Sequence, residues 1–245
     1  MIQMKLIKVD ATTSTNELSK ALNIKGQHEN YCVSAEFQLN GRGQQNTSWQ
    51  SNRSENLMFT VVYNNINLDV NRRFCLNALV CLSIFNVLKS LDIKNLNLKW
   101  PNDILADGFK LCGILIENSI IGAKIKHSYV GIGLNVNQTR FKNLPNASSL
   151  KILTGIELDK DKLLNQLLGE LKEVPEELES NSAQNIINVY KRYLFGFNVK
   201  KEFQLPDLTI KKGKIKDVEL EGKLLIEFES GELNNFEHKA IKQLY

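Results

Sequence analysis

The chain has 245 residues, 42% of them hydrophobic and 24% charged, with 14 glycines and 4 prolines. This composition excludes disordered, collagenous and low-complexity chains, and the length suits one large domain or a domain with a small appendage. Lys and Arg number 31 against 27 Asp and Glu, a net charge of +4 with no basic tract, so charge alone names no partner.

A polar cluster, Thr12-Thr13-Ser14-Thr15-Asn16-Glu17, opens a helical pattern near Ser14, where a hydroxyl caps the first turn and Glu17 follows three residues later. Tyr31–Phe37 and Leu57–Tyr63 read as strands, separated by a long polar loop over Gln38–Asn56. Asn71–Leu91 carries apolar residues at helical recurrence on a face wide enough for a deeply buried core helix. Asn97–Trp100, Ile104–Ala106, Lys110–Glu117 and Ser128–Val136 form an antiparallel meander with a hairpin at Asp107-Gly108. Two amphipathic helices are expected over Leu158–Leu178 and Ala183–Leu194. From Phe197 short strands return, punctuated by Gly213, Gly222 and Gly231. The order gives an α+β fold with a boundary near Gly196: a domain over 1–196 and a smaller one over 197–245.

Cys32, Cys75, Cys81 and Cys112 form no CxxC pair and no metal-ligand grouping with His28, His127 or His238, so no metal site is expected. The histidines fall outside every motif and read as surface or turn residues. The N-terminus lacks a secretory pattern and the longest apolar cluster is too short to cross a bilayer, so a soluble, cytoplasmic protein with reduced thiols is expected.

Four segments can carry chemistry. In the first, Gly41-Arg42-Gly43 lies between Gln38 and Trp49, and such a loop brings backbone N–H groups and a guanidinium to a phosphate while an indole covers an apolar face. A mobile surface loop is the plainer alternative. In Lys99-Trp100-Pro101-Asn102-Asp103-Ile104-Leu105 a cation, an amide and a carboxylate surround a proline-fixed turn, although Pro-Asn-Asp also serves in ordinary turns. Lys110-Leu111-Cys112-Gly113-Ile114-Leu115-Ile116-Glu117 places a lysine at the start of a buried strand and a glycine where a ligand or another backbone comes close; Cys112 reads as core. In Gly131-Ile132-Gly133-Leu134-Asn135-Val136-Asn137 two side-chain amides share a strand face, and no dinucleotide fingerprint is present.

In this order, from Ser14 to Asn137, the segments resemble the biotin protein ligases; KWPNDIL followed closely by KxxG is the most specific part. The resemblance implies a class II aminoacyl-tRNA-synthetase-like catalytic domain with a mixed, largely antiparallel sheet, and a small C-terminal SH3-like β-barrel. It implies ATP-dependent biotinylation of a carrier lysine through biotinyl-5′-AMP, with ATP, biotin and Mg2+ as substrates and metal. The partner is the biotin carboxyl carrier domain of a biotin-dependent carboxylase, and a homodimer is possible.

By the same resemblance Lys99 bridges the biotin carboxylate and the α-phosphate as an ammonium, Lys110 is a second phosphate-side cation, and Arg42 with Gly41 and Gly43 closes over the adenylate. Ser14, Thr15, Asn16 and Gln38 meet the ureido ring, and Gly113 and Ile114 form part of its wall. Trp49 covers adenine, Asn135 contacts the nucleotide, and Asn102 or Asp103 orients the carrier amine. Two features depart from the family pattern. Gln44-Gln45-Asn46-Thr47-Ser48 stands where many members are arginine-rich, which implies weaker adenylate retention. Only 13 residues precede Ser14, so no DNA-reading domain is expected there. A lipoate or octanoate ligase or transferase is the rival enzyme. A nucleic-acid-binding barrel is disfavoured, because seven Lys balance seven Asp or Glu over Lys211–Tyr245.

Overall fold

The computed structural model describes residues 4–24, 29–44, 47–238 and 240–244. His28, Gln45 and Asn46, singled out in the sequence, lie outside them.

The larger unit is a seven-stranded sheet in the order β1-β2-β3-β7-β6-β5-β4. Its strands are β1 (Lys5–Thr12), β2 (Tyr31–Gln38), β3 (Leu57–Asp69), β4 (Leu96–Lys99), β5 (Asp103–Ala106), β6 (Phe109–Ile121) and β7 (Lys124–Leu134). Among the described residues of this sheet only β1 and β2 pair in parallel and the other pairs are antiparallel, which makes the sheet mixed as expected. The N-terminal strand β1 was not foreseen, because its residues alternate irregularly between half-buried and exposed.

Alternation along β7 explains how the sheet divides its faces. Val130, Ile132 and Leu134 join the main core, while Tyr129, Gly131 and Gly133 turn to the opposite face. On the core side lies α2 (Arg73–Lys89), buried along most of its length because its apolar residues surround the whole helix. Helices α4 (Lys160–Leu171), α5 (Val174–Ser180) and α6 (Ala183–Arg192) cover α2. The single helix expected over Leu158–Leu178 is therefore two. The break falls at Lys172-Glu173 and α5 carries Pro175 in its first turn, where a missing N–H costs nothing; inside a continuous helix it would break the ladder. A short helix α3 (Leu150–Thr154), capped by Ser149 and closed by Gly155 in the left-handed region, was also not foreseen.

On the other face α1 (Thr15–Ile24) packs Leu18 and Leu22 near Tyr31, Val33, Val62 and Tyr129, and its N-terminal Asn16 lies over Gly131 of β7.

The second unit is an antiparallel five-stranded sheet in the order β11-β10-β9-β8-β12, from β8 (Lys200–Gln204), β9 (Ile210–Val218), β10 (Leu224–Phe228), β11 (Leu233–Phe236) and β12 (Lys242–Gln243). Gly222 and Gly231 occupy turns at positive φ. Gly213, expected at a turn, sits instead inside β9, where a Cβ would come 2.8 Å from Ile226 Cγ2. Phe203, Ile215, Val218, Leu224, Ile226 and Phe228 belong to the same apolar cluster as the main core, so the two sheets are packed together.

Candidate active site

The densest group of functional side chains surrounds a cleft of about 290 Å³ on the α1 face of the large sheet. From the larger unit it is built by the β2 end with the following loop, the start of α1, the β4–β5 turn, and the glycine-bearing middle of β6 and β7.

The β4–β5 turn is short because Lys99 pairs directly with Asp103 across the two strands. Its three intervening residues are anchored from four sides. Trp100 Nε1 donates to the Gly222 carbonyl at 2.9 Å, and Asn77 Nδ2 and the Tyr190 hydroxyl both donate to the Pro101 carbonyl. Asn102 Nδ2 donates to the Ile114 carbonyl at 2.6 Å, and Ile114 N–H returns a bond to the Asn102 carbonyl. The Trp100–Pro101 peptide is cis. Lys99 is thus placed by a clamped turn.

Lys110 Nζ forms an ion pair with Asp103 Oδ1 at 2.7 Å. A bulge between β5 and β6 leaves Leu111 as the extra residue and turns it into the core, which aims Lys110 toward the cleft. Burial first, and then the charges of Lys110 and Lys242, hold the Lys99 pKa below the ordinary lysine range; Asp103 pulls the other way. Lys99 is expected to act as an ammonium, and its own surroundings in the protein lower its pKa rather than raise it. Lys242, at the cleft mouth on β12, was missed because its surroundings, Ala240-Ile241-Lys242-Gln243, carry no motif.

Trp49 lies across the glycine pair Gly113 and Gly133, which face each other between β6 and β7. A Cβ at Gly133 would come 2.4 Å from the indole, and one at Gly113 3.2 Å from it, so only glycine lets the ring lie on the sheet. The Lys110 ammonium is 5.9 Å from the ring centre. Gly41 carbonyl accepts from Trp49 N–H at 2.8 Å, and Gly43 N–H donates to the Thr47 carbonyl, which folds the loop back on itself. Arg42 pairs with Glu17 of α1 at 2.9 Å.

Behind Trp49 a second recess of about 300 Å³ is lined by Lys110, Asn135, Phe141, Leu144, Pro145 and Ala147. Asn135 donates from Nδ2 to the Ser148 carbonyl at 3.0 Å, while its Oδ1 is buried with no hydrogen-bond partner among the described residues.

The polar end of the cleft is a network. Thr15 N–H donates to Gln38 Oε1 at 2.8 Å, and the Thr15 hydroxyl lies 3.2 Å from the same oxygen. Asn16 lies against Gly131, where a Cβ would come 2.5 Å from Asn16 Oδ1.

Ser14, Thr15, Asn16, Gln38, Arg42, Gly43, Trp49, Lys99, Asn102, Asp103, Lys110, Gly113 and Ile114 all line the main cleft. Two expected residues do not. Gly41 lines a groove on the outer side of the loop, and Asn135 lines the recess behind Trp49. Ile114 has its side chain in the core. The two strand amides also part company, because β7 ends at Leu134: Asn137 exchanges two hydrogen bonds with the Leu158 backbone and serves the fold. Leu224, Ile241 and Gln243 bring the second sheet into the cleft wall.

His238 lies in a turn, as expected, and its half-buried ring packs edge-on against Trp100 with ring centres 5.1 Å apart. His127 bonds Asn64 through Nδ1. All four cysteines are buried, and burial pushes each thiol up, which suits packing. Among the described residues no group of three or more His, Cys, Asp or Glu is placed to hold a metal, and no helix is long and apolar enough to cross a membrane.

Residues 6–135 match the model of the Biotin/lipoate A/B protein ligase family. The chain belongs to that family. It is 24% identical over 231 residues to the bifunctional ligase/repressor BirA of Bacillus spizizenii, covering 92% of this chain and 70% of that protein. The biotin--[acetyl-CoA-carboxylase] ligase of Mycobacterium tuberculosis is 27% identical over 175 residues, 69% of this chain and 63% of that one. In three dimensions this family member resembles the biotin protein ligase from Aquifex aeolicus solved with biotin and ATP, with a TM-score of 0.80 at 23% identity over 98% of each chain. The likeness extends through both sheets and places the chain in the biotin-ligase fold.

Proposed function

We propose that this cleft activates biotin with ATP and passes it to a carrier-protein lysine. The carrying observation is one cavity that combines the clamped ammonium of Lys99 with a cradle of small hydroxyls and amides. In the first half-reaction a biotin carboxylate oxygen bonds to the α-phosphorus of MgATP while the bond to the β-phosphate breaks and pyrophosphate leaves. Two anions must meet, so fixed cations that need no reorganisation lower the barrier. Lys99 serves as that cation, with Lys110, Lys242 and Arg42 around it.

Adenine enters the recess behind Trp49, where a purine amino group donates to the unmatched Asn135 Oδ1. The cyclic urea seats against Ser14, Thr15, Asn16 and Gln38, with Gly113 and the Ile114 backbone beside it. A dithiolane or a plain alkyl tail would offer no donor to the Thr15 hydroxyl oxygen that faces the cleft, at a cost of about 1–3 kcal/mol, which disfavours lipoate or octanoate. In the second half-reaction a neutral lysine amine of the biotin carboxyl carrier domain attacks the acyl carbon, the bond from that carbon to the phosphate oxygen breaks, AMP leaves and the nitrogen gives up one proton to water. Asp103 orients that amine, because Asn102 already spends its amide on Ile114.

The same reading assigns the large unit, residues 1–196, to the class II aminoacyl-tRNA-synthetase-like catalytic domain and residues 197–245 to a small SH3-like barrel. A homodimer would pair through the outer edge of β1, the end strand of the large sheet. The test is incorporation of labelled biotin into a carboxylase carrier domain with ATP, beside a lipoyl carrier domain with lipoate. Label on the first alone supports the assignment; transfer to the lipoyl domain alone overturns it.

A further inference from the structure

Within the cradle, the Asn16 amide nitrogen is engaged by the protein itself. Nδ2 meets Glu117 Oε2 at 2.7 Å and the Leu115 carbonyl at 3.3 Å. A carboxylate and a carbonyl only accept, so both amide hydrogens point there and Asn16 Oδ1 is the end that meets Thr60. Thr60 is fully buried, its hydroxyl 2.7 Å from Asn16 Oδ1 and 2.8 Å from the Thr15 hydroxyl. Thr60 has one proton, and Asn16 Oδ1 can only accept it. The Thr60 oxygen is left as an acceptor for Thr15, whose other neighbour, Gln38 Oε1, already accepts the Thr15 N–H. Either way the Thr15 proton goes into the protein and a lone pair faces the cleft.

We infer that Glu117 is a positioning residue that sets the donor–acceptor polarity of the cradle, through Asn16 and Thr60, so that Thr15 presents a lone pair to an N–H of the cyclic urea. This rests on the function proposed above. Glu117 is itself held by Lys20 Nζ at 2.8 Å. Although burial opposes ionisation, the bonds from Lys20 and Asn16 and the charges of Lys20 and Arg42 outweigh it and keep the side chain a carboxylate.

Exchanging charges along this chain gives the test. In Glu117→Gln, Lys20 claims the new amide oxygen and leaves the amide nitrogen facing Asn16, which must flip and reverse the order of protons down to Thr15. In Asn16→Asp, two carboxylates oppose each other. In the double variant the new glutamine donates to the new aspartate, whose second oxygen again accepts from Thr60. Thr60→Val interrupts the relay without altering either end. Biotin and ATP dissociation constants are measured by titration calorimetry on the whole protein, with thermal melts alongside.

Both charge-altering single variants and Thr60→Val are expected to weaken biotin about 5- to 100-fold and ATP less than two-fold, while the double variant recovers most of the biotin affinity. Unchanged biotin affinity in Glu117→Gln, or a double variant no better than its parents, overturns this inference alone. Wild-type protein that does not bind biotin overturns it together with the function it rests on.

Discussion

Gly131 and Gly133 are two residues apart on one face of β7, yet each holds back a different part of the site, so adding one methyl group at either position should separate the two substrates. At Gly131 a Cβ would lie 2.5 Å from Asn16 Oδ1, and it is 3.1 and 3.2 Å from Asn16 Cγ and Nδ2. Asn16 cannot yield freely, since Thr60, Leu115 and Glu117 hold it. A retreat of about 0.7–1 Å stretches the two 2.7 Å bonds beyond about 3.2 Å, out of the useful range, and each group left unsatisfied costs about 1–3 kcal/mol. Gly131→Ala should therefore weaken biotin binding about ten- to a hundred-fold while ATP affinity stays within two-fold. At Gly133 the new methyl would meet the Trp49 indole at 2.4 Å, and the ring must lift by about 1 Å to regain an ordinary carbon contact. That tilts the wall between the cleft and the recess, so Gly133→Ala should weaken ATP about ten-fold and leave biotin nearly unaffected. Calorimetric titration of each variant with each ligand reads all four values. If both variants weaken the same ligand, or Gly131→Ala binds biotin as tightly as wild type, the division of the site drawn from these contacts is wrong.

Three further outcomes follow from the electrostatics and the clamp. Adenylate formation needs Lys99 charged and so is lost as pH rises through the Lys99 pKa; Asp103→Asn removes a charge that raises this pKa and should move the basic limb of the rate profile to lower pH. Lys242→Met removes a charge that lowers it and should move the same limb upward, with the KM for ATP rising about three- to ten-fold; a limb that shifts the same way in both variants contradicts the assignment. Trp100→Phe leaves the Gly222 carbonyl without its indole donor and should cost about 1–3 kcal/mol in urea unfolding, whereas an unchanged midpoint and slope would remove Trp100 as a tie between the two sheets.

What could be read from the sequence was what local pattern encodes. The buried helix α2 announces itself through its run of apolar residues, and the β4–β7 meander through its turns and alternation. The motif residues were legible too, and thirteen of them line one cleft. What escaped depended on distant partners. Asn77, Gly222 and Tyr190 look ordinary in sequence and matter because they meet the turn after Lys99. Lys242 is one lysine among many until β12 pairs with β8 and brings it to the cleft. The split between α4 and α5 had a local cause in Pro175 that the apolar recurrence on both sides concealed. The separation of Asn135 from Asn137 was hidden because the strand end at Leu134 is set by pairing with Leu57 and Cys112.

The most direct test of the central claim is single-turnover formation of biotinyl-adenylate from biotin and α-labelled ATP, in wild type and in Lys99→Met. Wild type should form one adenylate and release one pyrophosphate per site, and Lys99→Met should be slower by about 100-fold or more. Adenylate formation at the wild-type rate in Lys99→Met would contradict the role given to that ammonium, and no adenylate in wild type would contradict the function itself.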